Sequence, residues 1–319
     1  MIIQIPFTDL QVSSLCLGTG EVGSSLDQQK SSELLDLFLE LGGNFLDTAH
    51  VYGDWVPNLE RSASEKTIGR WMRERGNRES IVLATKGAHW HFDAPEKPRL
   101  SRDDIRLDVE ESLTSLQTDR IDLYWLHRDD RTRMVEEILT TLEELVAEGK
   151  IRYYGASNWK ADRLQLARKF AESVGIQGFS ADQPFWNAAV MAKPPFGDES
   201  LSWMNEELYA FHQESGMAVI PYQSQAYGLF NRMHNGTLEA MNPGFRDFYD
   251  FEASARRYEL MTEIMRVTRL TITQVVLGYL RGQSMCTIPI IGCRRPDQLK
   301  DSMTALDVVL SFDQVKKIG

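Results

Sequence analysis

The chain has 319 residues, and 42% of them are hydrophobic, which is enough to bury a large core. Its formal net charge is −11, and its sequence carries no basic stripe, which argues against nucleic acid as a partner. Three cysteines are too few for a disulfide framework, and no apolar run approaches the roughly 18 residues of a membrane span. Because the start also lacks a basic, apolar leader, we expect a soluble cytoplasmic protein, either monomeric or homo-oligomeric.

Short apolar runs that predict β-strands recur along the whole chain. Before them, residues 2–12 (IIQIPFTDLQV) predict a short β-hairpin. The eight predicted strands lie within residues 13–18, 44–49, 80–86, 121–127, 151–158, 178–185, 218–224 and 286–292.

Between these runs the apolar residues recur every three to four positions, which predicts helices. They are predicted over residues 28–41, 63–75, 101–117, 134–150, 160–173, 199–214, 251–269 and 272–282, with a last helix from Pro296. Residues 226–250 read as a long loop, and a loop of this length in a compact domain is usually functional. Eight βα units without a break favour a single α/β domain over residues 1–319, a closed (β/α)8 TIM barrel with the hairpin at its bottom.

A second fold competes at the first strand. Residues 18–23 match G-x-G-x-x-G, and Asp47 stands at the end of the next strand, as a ribose-binding acid would. In a dinucleotide-binding fold the last glycine should open the helix, but here the helix is predicted to begin only near Asp27. The barrel therefore remains the favoured fold.

Four polar residues follow predicted strands at the point where each strand ends. Asp47, Lys86 and His127 close the second, third and fourth strands, and Tyr52 lies in the loop just beyond Asp47. Barrel enzymes place their reacting groups at the carboxyl ends of the strands, so we expect these side chains to converge. Each alone is more often structural, but a core gains little from three ionisable groups at adjacent strand ends. The sequence therefore predicts an acid–base site.

The four residue types suit a proton transfer coupled to hydride transfer. Because its ordinary pKa is about 10, a tyrosine is a poor acid near neutrality. The ammonium of Lys86 would lower the pKa of Tyr52, and Asp47 would keep Lys86 charged and aimed. His127 would donate a hydrogen bond to a carbonyl oxygen and orient the substrate. Together they would protonate an oxygen as a hydride reaches its carbon.

Several motifs, in this order along the chain, resemble the aldo-keto reductase family. They are residues 43–49 (GNFLDTA), Tyr52-Gly53, Ala84-Thr85-Lys86, residues 121–127 (IDLYWLH), residues 149–152 (GKIR) and residues 155–158 (GASN). The resemblance covers nearly the whole chain and implies a (β/α)8 barrel. It also implies NADPH-dependent reduction of aldehyde or ketone carbonyls, with the four roles described above. Sugar or other polar carbonyls are among the substrates that we expect.

The same resemblance implies a site for NADP(H). Ser157, Asn158 and Gln183 match positions that bind the nicotinamide carboxamide, and Tyr222 matches the aromatic residue that stacks on the nicotinamide ring. Residues 223–230 match the loop over the pyrophosphate. The further cofactor-binding candidates are Gly18, Thr19, Asp47, Gln223, Ser224, Gln225, Gly228, Leu229, Gly292, Arg294, Gln298 and Ser302.

Two stretches of this implied site depart from the family pattern. Residues 292–302 resemble the adenosine-phosphate motif G-x-R-x-x-x-Q-x-x-x-N, but Ser302 replaces the asparagine, which leaves the adenine contacts open. Residues 223–225 (QSQ) stand where the family often has Ser-Pro-Leu, and they either bind phosphate or face water. Arg294 suits a 2′-phosphate, which favours NADP over NAD.

Aromatic residues near the strand ends are candidates for the pocket of a small-molecule carbonyl substrate. Trp55, Trp90 and Trp159 each follow a predicted strand by a few residues. Aromatic walls are common in ligand pockets and suit sugar faces, although simple packing would explain any one of them equally well.

Other functions remain open at this level. The alternative ligands of a metal-dependent barrel hydrolase would be His89, His91, Asp93, His127 and Asp129. Such a metal would leave Tyr52 and Lys86 without a function, so we predict no metal site. Lys86 could instead form the Schiff base of an aldolase. A non-catalytic nicotinamide-binding subunit, similar to potassium-channel β subunits, is the remaining alternative.

Basic residues cluster at two places in the acidic background, at Arg294-Arg295 and within residues 128–133. Arg128, Arg131 and Arg133 alternate with Asp129 and Asp130. Mixed charge of this kind is typical of a solvated loop, so we predict that these arginines face water.

Overall fold

The computed structural model describes residues 1–95 and 97–319. The chain begins with the predicted antiparallel hairpin, formed by β1 (Ile2–Gln4) and β2 (Gln11–Ser13). Eight parallel strands follow: β3 (Cys16–Gly18), β4 (Phe45–Asp47), β5 (Val82–Gly87), β6 (Ile121–Leu126), β7 (Ile151–Ser157), β8 (Ala181–Gln183), β9 (Ala218–Val219) and β10 (Ile290–Gly292).

The sheet closes on itself, as the sequence predicts for a barrel. Strand β10 pairs in parallel with β3, with Ile290 opposite Cys16. At the other edge, Val219 of β9 bridges Thr287, and its carbonyl accepts from the Ile288 N–H at 2.9 Å. Both edges of the sheet therefore find partners, which confirms the (β/α)8 fold.

Eleven helices surround the strands in the described part of the chain. They are α1 (Gln28–Glu40), α2 (Ala63–Arg75), α3 (Arg102–Leu116), α4 (Val135–Ala147), α5 (Ala161–Val174), α6 (Glu206–Ser215), α7 (Leu229–Asn235), α8 (Phe251–Thr268), α9 (Ile272–Arg281), α10 (Pro296–Met303) and α11 (Phe312–Ile318). Over residues 1–95 and 97–319, none of them has both the length and the apolar character needed to cross a bilayer.

Three predictions about helices were wrong or incomplete. The helix predicted from residue 199 begins only at Glu206, because the Asn205 side chain caps it by accepting from the Leu208 N–H at 2.8 Å. The predicted loop 226–250 contains α7. Helix α11 was not predicted, although Ser311 and Gln314 form a readable capping box.

The glycine-rich stretch 18–23 does not open a helix, which removes the dinucleotide-binding fold. Helix α1 begins at Gln28, where Asp27 caps it by accepting from the Lys30 N–H at 2.9 Å. Gly23 has φ 71°, and a Cβ at Gly23 would lie 2.4 Å from the carbonyl oxygen of Ala63. Its lack of a side chain therefore allows close packing against the start of α2.

The hairpin fills the lower end of the barrel. Its residues Ile5, Leu10 and Val12 are buried and pack with Phe45 and Trp125 of the barrel interior. A second apolar layer lies between the sheet and the helices. Because the lower end is filled with side chains, a ligand can reach the strand ends only from the opposite, carboxyl end.

Candidate active site

Three of the four candidate catalytic residues form one buried network. The ammonium of Lys86 makes an ion pair with Asp47 and donates to the Thr48 carbonyl at 2.8 Å and to the Tyr52 hydroxyl at 3.1 Å. Lys86 and Asp47 are 1% and 2% exposed. The other oxygen of Asp47 accepts from the Gln183 amide at 2.9 Å. An ammonium has three N–H groups, and each of them has an acceptor here.

The loop after β4 brings Tyr52 back over the strand ends. The N–H groups of Thr48 and His50 each donate at 2.9 Å to carbonyls of β5, those of Ala84 and Lys86. The Tyr52 N–H then donates to the Ala49 carbonyl at 3.0 Å. The loop is therefore tied to β5, the strand that carries Lys86, and this places the phenol beside the ammonium.

The direction of the Tyr52 pKa differs from the prediction. Burial raises the pKa of Tyr52 above its ordinary value, and Lys86 offsets this only in part, while the Asp47 charge adds to the rise. Burial alone would lower the pKa of Lys86, but Asp47 and Tyr52 reverse this and raise it. Near neutrality the pair is therefore a neutral phenol beside a charged ammonium, because desolvation of the phenolate outweighs its attraction to the cation.

His127 lies directly after β6 and faces the same network. Its ring centroid is 6.1 Å from that of Tyr52 and 4.8 Å from that of His89. Burial lowers the pKa of His127 well below its ordinary value, and the nearby His89, Lys86 and Arg128 lower it further. The imidazole is therefore neutral, and its Nδ1 atom has no hydrogen-bond partner among the residues that the structure describes.

The residues matched to the nicotinamide carboxamide lie next to this network. Asn158 has φ 62°, donates to the His127 carbonyl at 3.1 Å and accepts from the Tyr222 hydroxyl at 2.8 Å. Ser157 donates to the Gln183 carbonyl at 2.9 Å. The structure thus brings the three carboxamide candidates and Tyr222, the candidate for stacking on the nicotinamide ring, together with His127. Their amides and hydroxyls suit a polar ring substituent such as a carboxamide.

The segment matched to the pyrophosphate loop has an unusual backbone. Gln223, Ala226 and Tyr227 have φ values of 55°, 50° and 54°, a left-handed conformation that costs energy for residues other than glycine. Gly228, with φ 77°, precedes α7, and the side chain of Leu229 is fully buried. Leu229 is therefore a packing residue, whereas the strained turn is the kind of conformation that binding loops retain.

The two departures from the family pattern contact each other. The amide of Gln225 donates to the Ser302 hydroxyl at 3.2 Å. Ser224 is buried and donates to the Ile290 carbonyl at 2.6 Å, so its hydroxyl is committed to β10. The serine that replaces the family's asparagine is therefore paired with one of the polar residues of the 223–225 stretch.

The adenosine-phosphate segment is open to solvent. A Cβ at Gly292 would have no atom within 4 Å. The Arg294 side chain is 68% exposed and forms an ion pair with Glu21, and the Arg294 backbone N–H donates to the side-chain carbonyl of Gln298 at 2.9 Å. An exposed guanidinium next to the open space at Gly292 can receive a phosphate group. These residues therefore fit the adenosine phosphate part of NADP(H).

Gly18 and Thr19 hold the strand ends in place. The Thr19 hydroxyl is fully buried and donates to the Asp47 carbonyl at 2.9 Å. A Cβ at Gly18 would lie 2.8 Å from a methyl group of Ile290, so glycine lets β3 and β10 approach. Gly18 and Thr19 therefore pack against neighbouring strands and support the backbone of Asp47.

Two of the three predicted pocket tryptophans lie beside the network. Trp55 is 47% exposed and makes an edge contact with Tyr52 at 5.8 Å, and Trp90 lies 4.4 Å from His89. Sequence reasoning missed Phe92, which lies 6.3 Å from Trp55 and 5.5 Å from His89. Its position just beyond β5 was the available signal.

The assignment of Trp159 to the pocket was wrong. Its ring is fully buried and makes an edge contact with Phe179 at 5.0 Å. The Arg163 guanidinium lies over the Trp159 ring at 5.1 Å, and the indole N–H of Trp159 donates to the Arg128 carbonyl at 3.4 Å. Trp159 therefore belongs to the layer between sheet and helices, because the chain turns outward into α5 directly after it.

The ligand set proposed for a metal hydrolase is not assembled. Within the described ranges, the one group of His, Asp and Glu ligand atoms lying within 4.8 Å of one another is His50, Asp108 and Glu111. None of these belongs to the predicted set. The Nδ1 atom of His89 is instead 2.6 Å from the Trp90 carbonyl, to which it donates.

A closed barrel with ionisable groups at the carboxyl ends of its strands defines an enzyme of the (β/α)8 class. Residues 14–319 match the Aldo/keto reductase family, and the chain belongs to that family. It is accordingly an oxidoreductase acting on carbonyl groups.

Characterised relatives align with almost the whole chain. Norsolorinic acid reductase A of Aspergillus parasiticus is 31% identical over 326 residues, which cover 98% of this chain and 78% of the relative. The aldo-keto reductase ausK of Emericella nidulans is 30% identical, with coverage of 98% and 78%. The aryl-alcohol dehydrogenase (NADP(+)) of Phanerodontia chrysosporium is 29% identical, with coverage of 98% and 83%. These names share oxidoreductase chemistry.

Proposed function

We propose that this protein interconverts carbonyl compounds and alcohols with NADP(H), and that Tyr52 is the proton donor in the reducing direction. The single observation that carries the proposal is the Lys86 ammonium, whose three N–H groups contact Asp47, the Thr48 carbonyl and the Tyr52 hydroxyl. This arrangement directs a fixed positive charge at the oxygen of a neutral phenol.

The chain's own groups divide the proton transfer among them. Tyr52 donates its proton to the substrate oxygen as that oxygen gains negative charge. Lys86 stabilises the phenolate that Tyr52 becomes, and Asp47 keeps Lys86 charged in a buried position. When bound, NADPH supplies the hydride.

His127 positions the substrate oxygen. Because burial keeps its imidazole neutral, one ring nitrogen carries a proton that can be donated and the other is a free acceptor. Its backbone is fixed by the Asn158 amide, which donates to the His127 carbonyl. A carbonyl oxygen between Tyr52 and His127 would therefore receive two hydrogen bonds.

The cofactor assignment combines donor chemistry with the relatives. Ser157, Asn158 and Gln183 would hold the carboxamide, and Tyr222 would stack on the nicotinamide ring. The exposed Arg294 would bind the 2′-phosphate, in line with the NADP(+) in the name of the aryl-alcohol dehydrogenase.

An aromatic carbonyl is the favoured substrate class. The name of one relative, aryl-alcohol dehydrogenase, indicates an aromatic substrate for that protein. In this chain Trp55 contacts the Tyr52 ring, and Trp90 and Phe92 contact the His89 ring, with centroid distances of 4.4–5.8 Å. Flat aromatic substrates would pack against such rings.

The proposal is tested by Tyr52→Phe. We expect kcat for NADPH-dependent reduction of an aromatic aldehyde to fall by about 10²- to 10⁴-fold, the usual contribution of a positioned general acid. The Kd for NADPH, measured by fluorescence, should remain nearly unchanged, because the change removes only the hydroxyl.

Tyr153→Phe is the matched control. The Tyr153 hydroxyl donates to Asp9 of the hairpin at 3.0 Å, so its loss should leave kcat unaltered. Equal activity of Tyr52→Phe and the parent protein would remove Tyr52 as the donor. Binding of NADPH without turnover of any carbonyl by the isolated parent chain would favour the regulatory subunit instead.

A further inference from the structure

Arg128 is withdrawn from solvent beside the candidate catalytic imidazole. The mixed sequence around it predicts a solvated loop, and Arg131 and Arg133 are indeed 55% and 44% exposed. The Arg128 side chain, in contrast, is only 14% exposed. A guanidinium directly after His127 and largely buried needs an explanation, because desolvating this charge is costly.

The guanidinium of Arg128 is held in place but uses few of its donors. It lies 4.5 Å from the Trp90 ring, and its Nη1 atom donates to the Ser200 hydroxyl at 2.9 Å and to Asp198 at 3.3 Å. Its Nε atom is buried without a partner among residues 1–95 and 97–319. Over the same residues, Nη1 is the one guanidinium nitrogen with a hydrogen bond.

A continuous run of rings joins Tyr52 to this guanidinium. His127 lies 6.1 Å from Tyr52, and His89 lies 4.8 Å from His127. Trp90 lies 4.4 Å from His89 and carries Arg128 on its face. A substrate whose carbonyl reaches Tyr52 would therefore extend along aromatic surface towards Arg128.

The charge on Arg128 is only partly compensated. Its partner Asp198 lies at the longer distance of 3.3 Å and is 34% exposed, so water weakens that attraction. Lys86, the other cation of the site, is already neutralised by Asp47. Burial lowers the pKa of His89 to about 4, and the pKa of His127 is lowered too, so neither imidazole adds charge near neutrality.

We propose that Arg128 binds a carboxylate or a similar negatively charged oxygen group of the substrate, at the end of the molecule away from the reacting carbonyl. This inference rests on the proposed function and narrows it to aromatic aldehydes and ketones that carry such a group. A guanidinium offers parallel N–H donors that match the two oxygens of a carboxylate. The Trp90 ring packs against the guanidinium at 4.5 Å, and the N–H groups that Ser200 and Asp198 leave unused supply the hydrogen bonds.

The test compares 4-carboxybenzaldehyde with its neutral methyl ester. For the parent protein we expect the acid to have the higher kcat/KM. In Arg128→Gln the value for the acid should fall about 10- to 100-fold more than the value for the ester, mainly through KM, because a charged hydrogen bond is lost. Arg128→Lys should recover part of the preference for the acid. Asp198→Asn should lower the KM of the acid, because it removes the competing carboxylate.

Arg131→Gln is the matched control, since Arg131 lies in the same loop and pairs with Asp162 on the surface. This variant should leave kcat/KM unchanged for both the acid and the ester. Equal losses on acid and ester in Arg128→Gln, or a parent protein that prefers the ester, would overturn the role of Arg128 while leaving the proposed function intact. A parent protein that reduces neither aldehyde would overturn the proposed function itself. If Arg128→Gln does not fold, the other two variants decide the question. Relative to the parent protein, the preference for the acid over the ester should fall in Arg128→Lys and rise in Asp198→Asn.

Discussion

At the residue scale, the site depends on how burial and charge act on one another. Lys86 is almost fully buried, and its charge is retained because Asp47 is buried beside it. Tyr52 stays protonated because its burial outweighs the attraction of Lys86 for a phenolate. The pair thus holds a proton until a developing oxyanion takes it, which suits a general acid for carbonyl reduction.

A prediction about pH follows for Asp47→Asn. Both Lys86 and Tyr52 must be protonated for reduction, and Asp47 raises the pKa of each. Without that carboxylate both pKa values fall, so the alkaline limb of kcat/KM should move to lower pH, with a loss of about tenfold or more near neutrality. Rates of aldehyde reduction measured across pH provide the test.

Asp36→Asn is the control for this experiment. Asp36 pairs with Arg75 on the outer helices, so its change should leave the limb in place. An alkaline limb that stays put or moves to higher pH in Asp47→Asn would contradict the account. Breaking a buried pair also costs about 3–5 kcal/mol of stability, so the folded fraction should be checked by circular dichroism.

At the scale of single elements, close approach between neighbouring strands determines where glycine is needed. A Cβ at Gly155 in β7 would lie 2.5 Å from the Trp125 ring of β6 and 2.6 Å from the Ala181 carbonyl of β8. Gly155 therefore lets the large indole of Trp125 enter the barrel interior. The nicotinamide candidates Ser157 and Asn158 lie at the end of the same strand.

Gly155→Ala should therefore destabilise the protein. We expect a loss of about 1–3 kcal/mol from overpacking, seen as a lower midpoint of urea unfolding. Gly292→Ala is the matched control for stability, because a Cβ there meets no atom within 4 Å and the midpoint should not change. Similar midpoints for the two variants would show that β7 can move away from Trp125.

Helix starts show how far local sequence signals reach. The Asp27 cap of α1 and the Ser101 cap of α3 were readable, and both helices begin where predicted to within one residue. Helix α6 begins later than predicted because the residues just before its Asn205 cap are held in strand-like pairing, where Trp203 bridges Phe185. That bridge joins distant parts of the chain, so local periodicity does not reveal it.

At the scale of the whole molecule, the hairpin separates stability from chemistry. Ile5 and Leu10 are buried at the lower end of the barrel, whereas Asp47, Lys86 and Tyr52 lie at the carboxyl ends of the strands. The lower end can therefore be stabilised without altering the site.

Leu10→Ala should reduce the free energy of unfolding by about 2–5 kcal/mol, because it leaves a cavity in the core. The Kd for NADPH of the folded protein should not change. Phe7→Ala, at a ring that is 64% exposed, should shift stability by no more than about 0.5 kcal/mol. A change in NADPH affinity in Leu10→Ala at a temperature where the variant is folded would show that the two ends are coupled.

The sequence by itself determined the alternating strands and helices, the barrel and the convergence of Asp47, Lys86 and Tyr52. Periodicity and strand-end positions are local properties, and parallel strands bring their carboxyl ends to the same edge. Only the tertiary structure decided the upward shift of the Tyr52 pKa, the burial of Trp159 and the withdrawal of Arg128 from water. Each of these depends on how many distant residues exclude solvent from one group, and that quantity exists only once the chain is folded.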